Sequence, residues 1–331
     1  MNADYPNDDS YLDRIRINEG ADQCKNTLTA ALRMDTRRAV ALLNDRRLTF
    51  PCLYLLREPI VQHPVQRYLN TRNLIALRVI DQILGPKTSS ETDYLSSRRD
   101  EVHPVLKWIL ETGSVEELPE DEYEEVLDVT VSVLINIYKD SSILPLVVDL
   151  IFRRNRDESH IHDLVWALFR FHDPQVLRLI AQRLPSSNAK DAELAAELLN
   201  IDKTDALAAK CNEEGRCDGY LHWLEENQPY LYFTEESFQY ASKPVFCTVD
   251  LERKYLQKGV SSYDKQPLSS LDDDEHACMA AFQRLDAEEQ KVLSDYSQKL
   301  CGRSVSAWKE WLHAPVGEQV KAAKARLGGD T

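Results

Sequence analysis

LPLVVDLIFRR at residues 144–154 reads again 29 residues later as DPQVLRLIAQR at 173–183. Pro145 falls on Pro174, Val147 on Val176, Leu150 on Leu179, Ile151 on Ile180 and Arg154 on Arg183. The same shift carries HDLVWALF at 162–169 onto DAELAAEL at 191–198, so that Val165 meets Leu194, Ala167 meets Ala196 and Phe169 meets Leu198. Two amphipathic helices can share a period by accident. One register held over two helices and the turn between them points to an internal repeat.

A helix pair with a single apolar face cannot bury that face alone, so recurring pairs stack on their neighbours. Proline marks the openings: Pro64, Pro104, Pro145 and Pro174 each stand about one residue into an apolar run of helical period, where the missing N–H would be unpaired anyway. These residues give the chain, over roughly 22–205, a resemblance to the HEAT and armadillo-like α-solenoids. The run Gly302-x5-Trp308-x-x-Trp311 resembles tails found in some bacterial HEAT-repeat proteins. The resemblance implies an all-α fold, a right-handed α-α superhelix of helix pairs over residues 21–210, and a non-enzymatic scaffold or adaptor that holds a protein or peptide along its concave face. HEAT-like DNA glycosylases supply the competing implication, a nucleic-acid-binding or base-processing protein with a basic concavity.

Outward from the repeat, the chain divides by composition. Residues 1–20 carry three acids in the first nine positions and read as a polar lead-in. Asp35 is placed to cap a helix through Leu43, and Thr49-Phe50-Pro51 reads as a break. Leu74 to Leu84 keep helical spacing up to Gly85-Pro86, and residues 87–100 read as a polar loop. The run VLDVTVSVLINIY at 126–138 is rich enough in β-branched residues to admit a strand, but its length and helical neighbours favour a helix with acids in its first turn. Residues 211–331 read as a C-terminal cap or appendage. Within it, 227–275 is an irregular segment rich in Tyr, Phe, Ser and Pro, and 286–327 holds the terminal helices.

Net charge is −15, unevenly spread: residues 111–150 hold one Lys or Arg against eleven Asp or Glu. Phosphate binding needs a positive field, which Arg37, Arg38, Arg46, Arg47, Arg153, Arg154 and Arg156 could form on a concave face. A solvated face paired with nearby acids is the plainer reading. The seven scattered cysteines, without a CxxC pair, read as reduced thiols of a cytosolic chain. No apolar run of about 18 residues exists, and the acidic start lacks the basic, apolar character of a secretory signal. A cytoplasmic protein without a membrane span is expected.

Catalytic and cofactor motifs are absent from the sequence, so neither a cofactor nor an enzymatic role is expected. His160, His162, Asp163, His172 and Asp173 form one cluster with metal-ligating residue types, and Cys211, Cys217 and His222 another. The bland reading of both, capping or surface histidines and free thiols, is preferred, and no metal site is assigned. The densest candidate surface is aromatic: Trp223, Tyr230, Tyr232, Phe233, Phe238, Tyr240 and Phe246, with Trp308 and Trp311 further on. Such residues are enriched at interface hot spots. They also suit a segment that pins itself across the end of a helical stack.

Overall fold

The computed structural model describes residues 9–85, 93–115, 117–118, 120–201 and 216–327. Among these residues the chain forms eighteen α-helices and one two-stranded antiparallel sheet. The fold is all-α in class. Two compact units divide it: the first comprises Met1–Ile151 with Asp163–Leu168, the second Phe152–His162 with Phe169–Thr331.

In the first unit, α1 (Tyr11–Glu19) and α2 (Ala21–Met34) meet at Gly20, whose φ of 95° is a conformation that L side chains rarely adopt. The lead-in expected over residues 1–20 is therefore corrected from Ser10 onward. Ser10 caps α1 by accepting the Asp13 N–H at 3.1 Å, and Leu12, Asp13 and Ile15 are buried. After α3 (Thr36–Leu43), Phe50-Pro51 does not break the chain but opens a fully buried helix, α4 (Phe50–Leu55), with proline in its first turn. α5 (Arg57–Val61) follows directly. Pro64 is a second correction: it stands in a turn ahead of the 3₁₀ segment Gln66–Tyr68 and opens no α-helix.

α6 (Thr71–Leu84), α7 (His103–Gly113) and α8 (Asp121–Asn136) pack on one another, and α4 lies against both α6 and α7. Gly113 is needed for that approach, because a Cβ there would stand 2.9 Å from both Phe50 Cδ1 and the Tyr123 hydroxyl. The β-branched run of α8 is helical, with Val126, Leu127, Val131 and Leu134 buried. Cys24 and Cys52 lie in this core as free thiols, their sulfurs 3.8 Å apart.

α9 (Leu144–Arg156), α10 (His162–Phe169), α11 (Pro174–Ala181) and α12 (Ala189–Leu198) carry the repeated register. Pro145 and Pro174 stand in the first turns of α9 and α11, and the second helix of each pair ends 29 residues from the other, at Phe169 and Leu198. Matched positions are buried alike: Val147 with Val176, Ile151 with Ile180, Val165 with Leu194. They diverge on one face. Leu164 and Leu168 are buried, whereas their counterparts Glu193 and Glu197 are exposed.

The second unit continues with α13 (Arg216–Asn227) and a hairpin, β1 (Leu231–Phe233) with β2 (Cys247–Val249), in the register Leu231 to Val249. α14 (Leu251–Tyr255) follows. The Phe233 N–H donates to the Ser262 carbonyl and the Val260 N–H to the Pro229 carbonyl, so the segment expected to be irregular is knitted by backbone bonds despite its lack of period. Asp272 and Glu275 form a reciprocal capping box that starts α15 (Asp273–Phe282). α16 (Ala287–Arg303), α17 (Val305–Leu312) and α18 (Val316–Leu327) complete the unit. The final helix buries Gln319, Val320 and Ala323.

Candidate functional site

A shallow depression of about 420 Å³, more open to solvent than enclosed, lies in the first unit between α5, α6 and the start of α8. α5 contributes Arg57, Glu58 and Val61, followed by Gln62. Its inward residue is Ile60, which is buried and leaves Val61 on the lip with about half of its surface exposed. The last two turns of α6 supply Ile80, Asp81 and Leu84, and Glu122 comes from the first turn of α8. Its lining mixes the apolar Val61, Ile80 and Leu84 with three carboxylates and one guanidinium.

Arg57 is fixed in place. Its Nη2 donates to Glu122 Oε2 at 3.2 Å, its Nη1 donates to the Tyr54 carbonyl at 3.2 Å, and the guanidinium lies 3.9 Å from the Tyr54 ring centroid. The Tyr54 hydroxyl, fully buried, has no hydrogen-bond partner among the described residues. Burial pushes its phenol up to about 12, with Arg57 pulling the other way and the carboxylates of Glu120, Glu122 and Glu125 adding to the rise. The lining has no Ser, Cys, His or Lys. Its titratable groups are the Arg57 guanidinium and the carboxylates of Glu58, Asp81 and Glu122.

The aromatic residues singled out by sequence go elsewhere. Tyr230, Phe233 and Phe246 are buried, and Phe246 stacks on Phe169 with ring centroids 4.1 Å apart. Phe238, half-buried, meets the edge of Phe246 at 5.5 Å and stacks on His162 at 4.8 Å. Trp223 is half-buried and packs on Tyr220. Trp308 is buried and donates to Ser297 Oγ at 2.8 Å, and Trp311 lies edge-on to Tyr296 and Tyr255. The candidate aromatic surface is corrected accordingly: these rings are core, because the segment must bury its apolar area against its own unit. Tyr240, 84% exposed, stands out in solvent, and Tyr232 lies beneath the Lys265 amine.

The residues of the candidate basic face stand as follows. Arg154 is fully buried, Arg156 donates to both carboxylate oxygens of Asp191 at 3.1 Å, and Arg153 is half-buried. Arg37, Arg38 and Arg46 are exposed, and Arg47 grips Asp45 through Nε and Nη2 at 3.1 and 2.9 Å. That Arg47 bond is the main reason the Asp45 carboxyl is held below its usual range, against the opposing effect of burial. A lowered native pKa contributes stability that is present above the unfolded value and lost as pH falls through the native one. The stability difference between the wild type and Asp45→Asn should therefore be constant near neutrality and shrink below about pH 4. Urea midpoints measured against pH check this; a difference that stays level into acid would refute it.

Of the metal-type cluster, His162 and His172 are drawn into ring stacks with Phe238 and Phe233, and Asp173 caps α11 by accepting the Gln175 N–H at 2.8 Å. Among the described residues no three His, Cys, Asp or Glu side chains converge as metal ligands would. Cys211 lies outside the described residues, Cys217 is half-buried, and His222 pairs with Glu226 at 3.5 Å. Among the described residues no helix is long and apolar enough to cross a membrane. Comparisons with family models, with curated proteins and with solved structures found no match for the chain.

Proposed function

We propose that this chain is a non-enzymatic scaffold or adaptor of the cytoplasm, whose helix pairs stack as a HEAT-like α-solenoid and hold a protein or peptide partner. The observation that carries the reading is the helix-pair organisation of α9–α10 and α11–α12, whose matched positions Val147 and Val176, Ile151 and Ile180, Val165 and Leu194 are buried alike. Support for the solenoid comes from the 29-residue register shared by α9–α10 and α11–α12, and from the exposed Glu193 and Glu197 on the last repeated helix. Terminal repeats carry a polar outer face of that kind. Free thiols at Cys24, Cys52, Cys217, Cys247, Cys278 and Cys301 fit a reducing compartment.

Cross-linking of the full chain in a lysate of its native cell, followed by mass spectrometry, tests the reading. Reproducible cross-links to the same one or few proteins are expected. Recovery of nothing above the level of an unrelated acidic protein would overturn it.

A further inference from the structure

We propose that Cys24 and Cys52 form a redox lock: a hydroperoxide closes the two thiols to a disulfide that ties α2 to α4, and a thiol reductant reopens it. The lock goes beyond the scaffold reading and does not depend on it. The placement of the pair carries the inference. Residues 1–151 contain two cysteines, 28 positions apart in sequence, and the fold sets their sulfurs 3.8 Å from one another. Among the described residues they are the one pair of cysteine sulfurs within hydrogen-bond reach. They stand on different helices, Cys24 as the fourth residue of α2 and Cys52 as the third of α4. A disulfide holds its sulfurs about 2.05 Å apart, so closure brings these two nearer by about a further 1.8 Å.

The two thiols are not equivalent. The Cys24 S–H donates to the Leu12 carbonyl at 3.5 Å, which leaves the Cys52 S–H to donate to the Cys24 sulfur. That hydrogen bond, helped by Arg16 and Lys25, holds the Cys24 thiol below its ordinary range against burial and the Asp13 carboxylate. The same bond, with burial, pushes the Cys52 thiol up. Cys24 is therefore the sulfur that reacts first, and Cys52 the one that resolves it. With hydrogen peroxide as oxidant, the Cys24 thiolate attacks one oxygen, the O–O bond breaks, and the departing hydroxide takes up the Cys24 proton as water. The Cys52 sulfur then attacks the sulfur of the resulting sulfenic acid, the S–O bond breaks, and that oxygen leaves with the Cys52 proton as a second water. The two thiols lose two electrons and the peroxide gains them.

Both thiols are fully buried, which shields them while the fold is closed. α1 packs on both α2 and α4, and its Leu12 carbonyl rests on the Cys24 sulfur, so local opening of α1 is what exposes the pair. In a reducing compartment a disulfide made in this way is transient, as redox-sensing disulfides are.

Hydrogen peroxide is the probe, added to the full chain in native buffer and in urea; remaining thiols are then alkylated under denaturing conditions and peptides are mapped without reduction. A Cys24–Cys52 cross-linked peptide that dithiothreitol separates is expected, its share of all disulfides several-fold higher from the native chain than from urea. An equal share in urea would show that the fold does not direct the bond and overturn the proposal. So would oxidation of the less buried Cys217, Cys247, Cys278 or Cys301 with Cys24 and Cys52 left as free thiols. Cys52→Ser should leave a sulfenic acid at Cys24 that dimedone traps, and Cys24→Ser should leave Cys52 unoxidised; the opposite pattern would overturn the assigned roles. Should either variant fail to fold, the wild-type map still decides. Amide exchange along α2 and α4 should slow several-fold in the oxidised chain and recover on reduction. Exchange that is unchanged or faster would show a bond that locks nothing.

Discussion

Phe246→Ala is expected to cost the second unit about 3–5 kcal/mol, the range for deleting a buried aromatic ring. Phe246 is 2% exposed, stacks on Phe169 at an interplanar angle of 7°, and receives Phe238 against it at 69°. Its carbonyl accepts the Thr234 N–H at 2.9 Å beside the β1–β2 ladder, so the cavity would open where the hairpin is held. Truncation removes both the apolar burial and the ring contacts, and the hairpin backbone limits how far the site can collapse. Tyr240→Ala, a few residues away and almost wholly exposed, should change stability by less than about 0.5 kcal/mol. Urea unfolding, with hydrogen exchange read over 231–249, compares the two. If both variants unfolded at the wild-type midpoint, the hairpin would be decoration and the aromatic segment would be open for a partner after all.

That contrast shows why the sequence was a partial guide. The pattern in the helices was legible because a 3.6-residue period is a local property: α6, α8 and the pairs α9–α10 and α11–α12 fall where the apolar spacing put them. α1 escaped notice because its buried face includes Asp13, a residue that composition reads as solvated. Phe50-Pro51 reads as a break although proline in a first turn is also a start signal, and nothing in a six-residue run chooses between the two. Around β1 and β2 the ordering is long-range, as in the bond from Ser262 Oγ to the His172 carbonyl, and no period reports it. Aromatic density signalled burial and was open to being read as a surface. The depression was invisible for the same reason. Arg57 and Glu122 are 65 residues apart, and neither alone differs from an ordinary surface charge.

In the first unit, Asp13→Ala is expected to cost about 3–5 kcal/mol, as when one partner of a buried charged network is removed. The Asp13 carboxylate is fully buried and accepts from the Ser10 hydroxyl at 2.6 Å, the Thr49 N–H at 3.0 Å and the Thr49 hydroxyl, with Arg16 Nε 3.7 Å away. Alanine would strand three donors in the interior, and each unsatisfied group carries its own desolvation penalty. Thr49→Val removes one donor together with its bond to Asp13 and should cost less, about 1–2 kcal/mol. The two losses should fall short of additive in the double variant, because the pair shares one network. Denaturant midpoints of the three variants measure that coupling; strict additivity would mean the carboxylate and Thr49 act separately. Thr49 is the residue before α4, and its hydroxyl is spent on Asp13, not on capping its own helix. Asp13 therefore ties the start of α4 to α1. α4 ends in Tyr54 and Leu55, and Tyr54 is the platform on which Arg57 rests. The same substitution should thus speed amide exchange along α4 under conditions where the chain is still folded, because the start of that helix is no longer held.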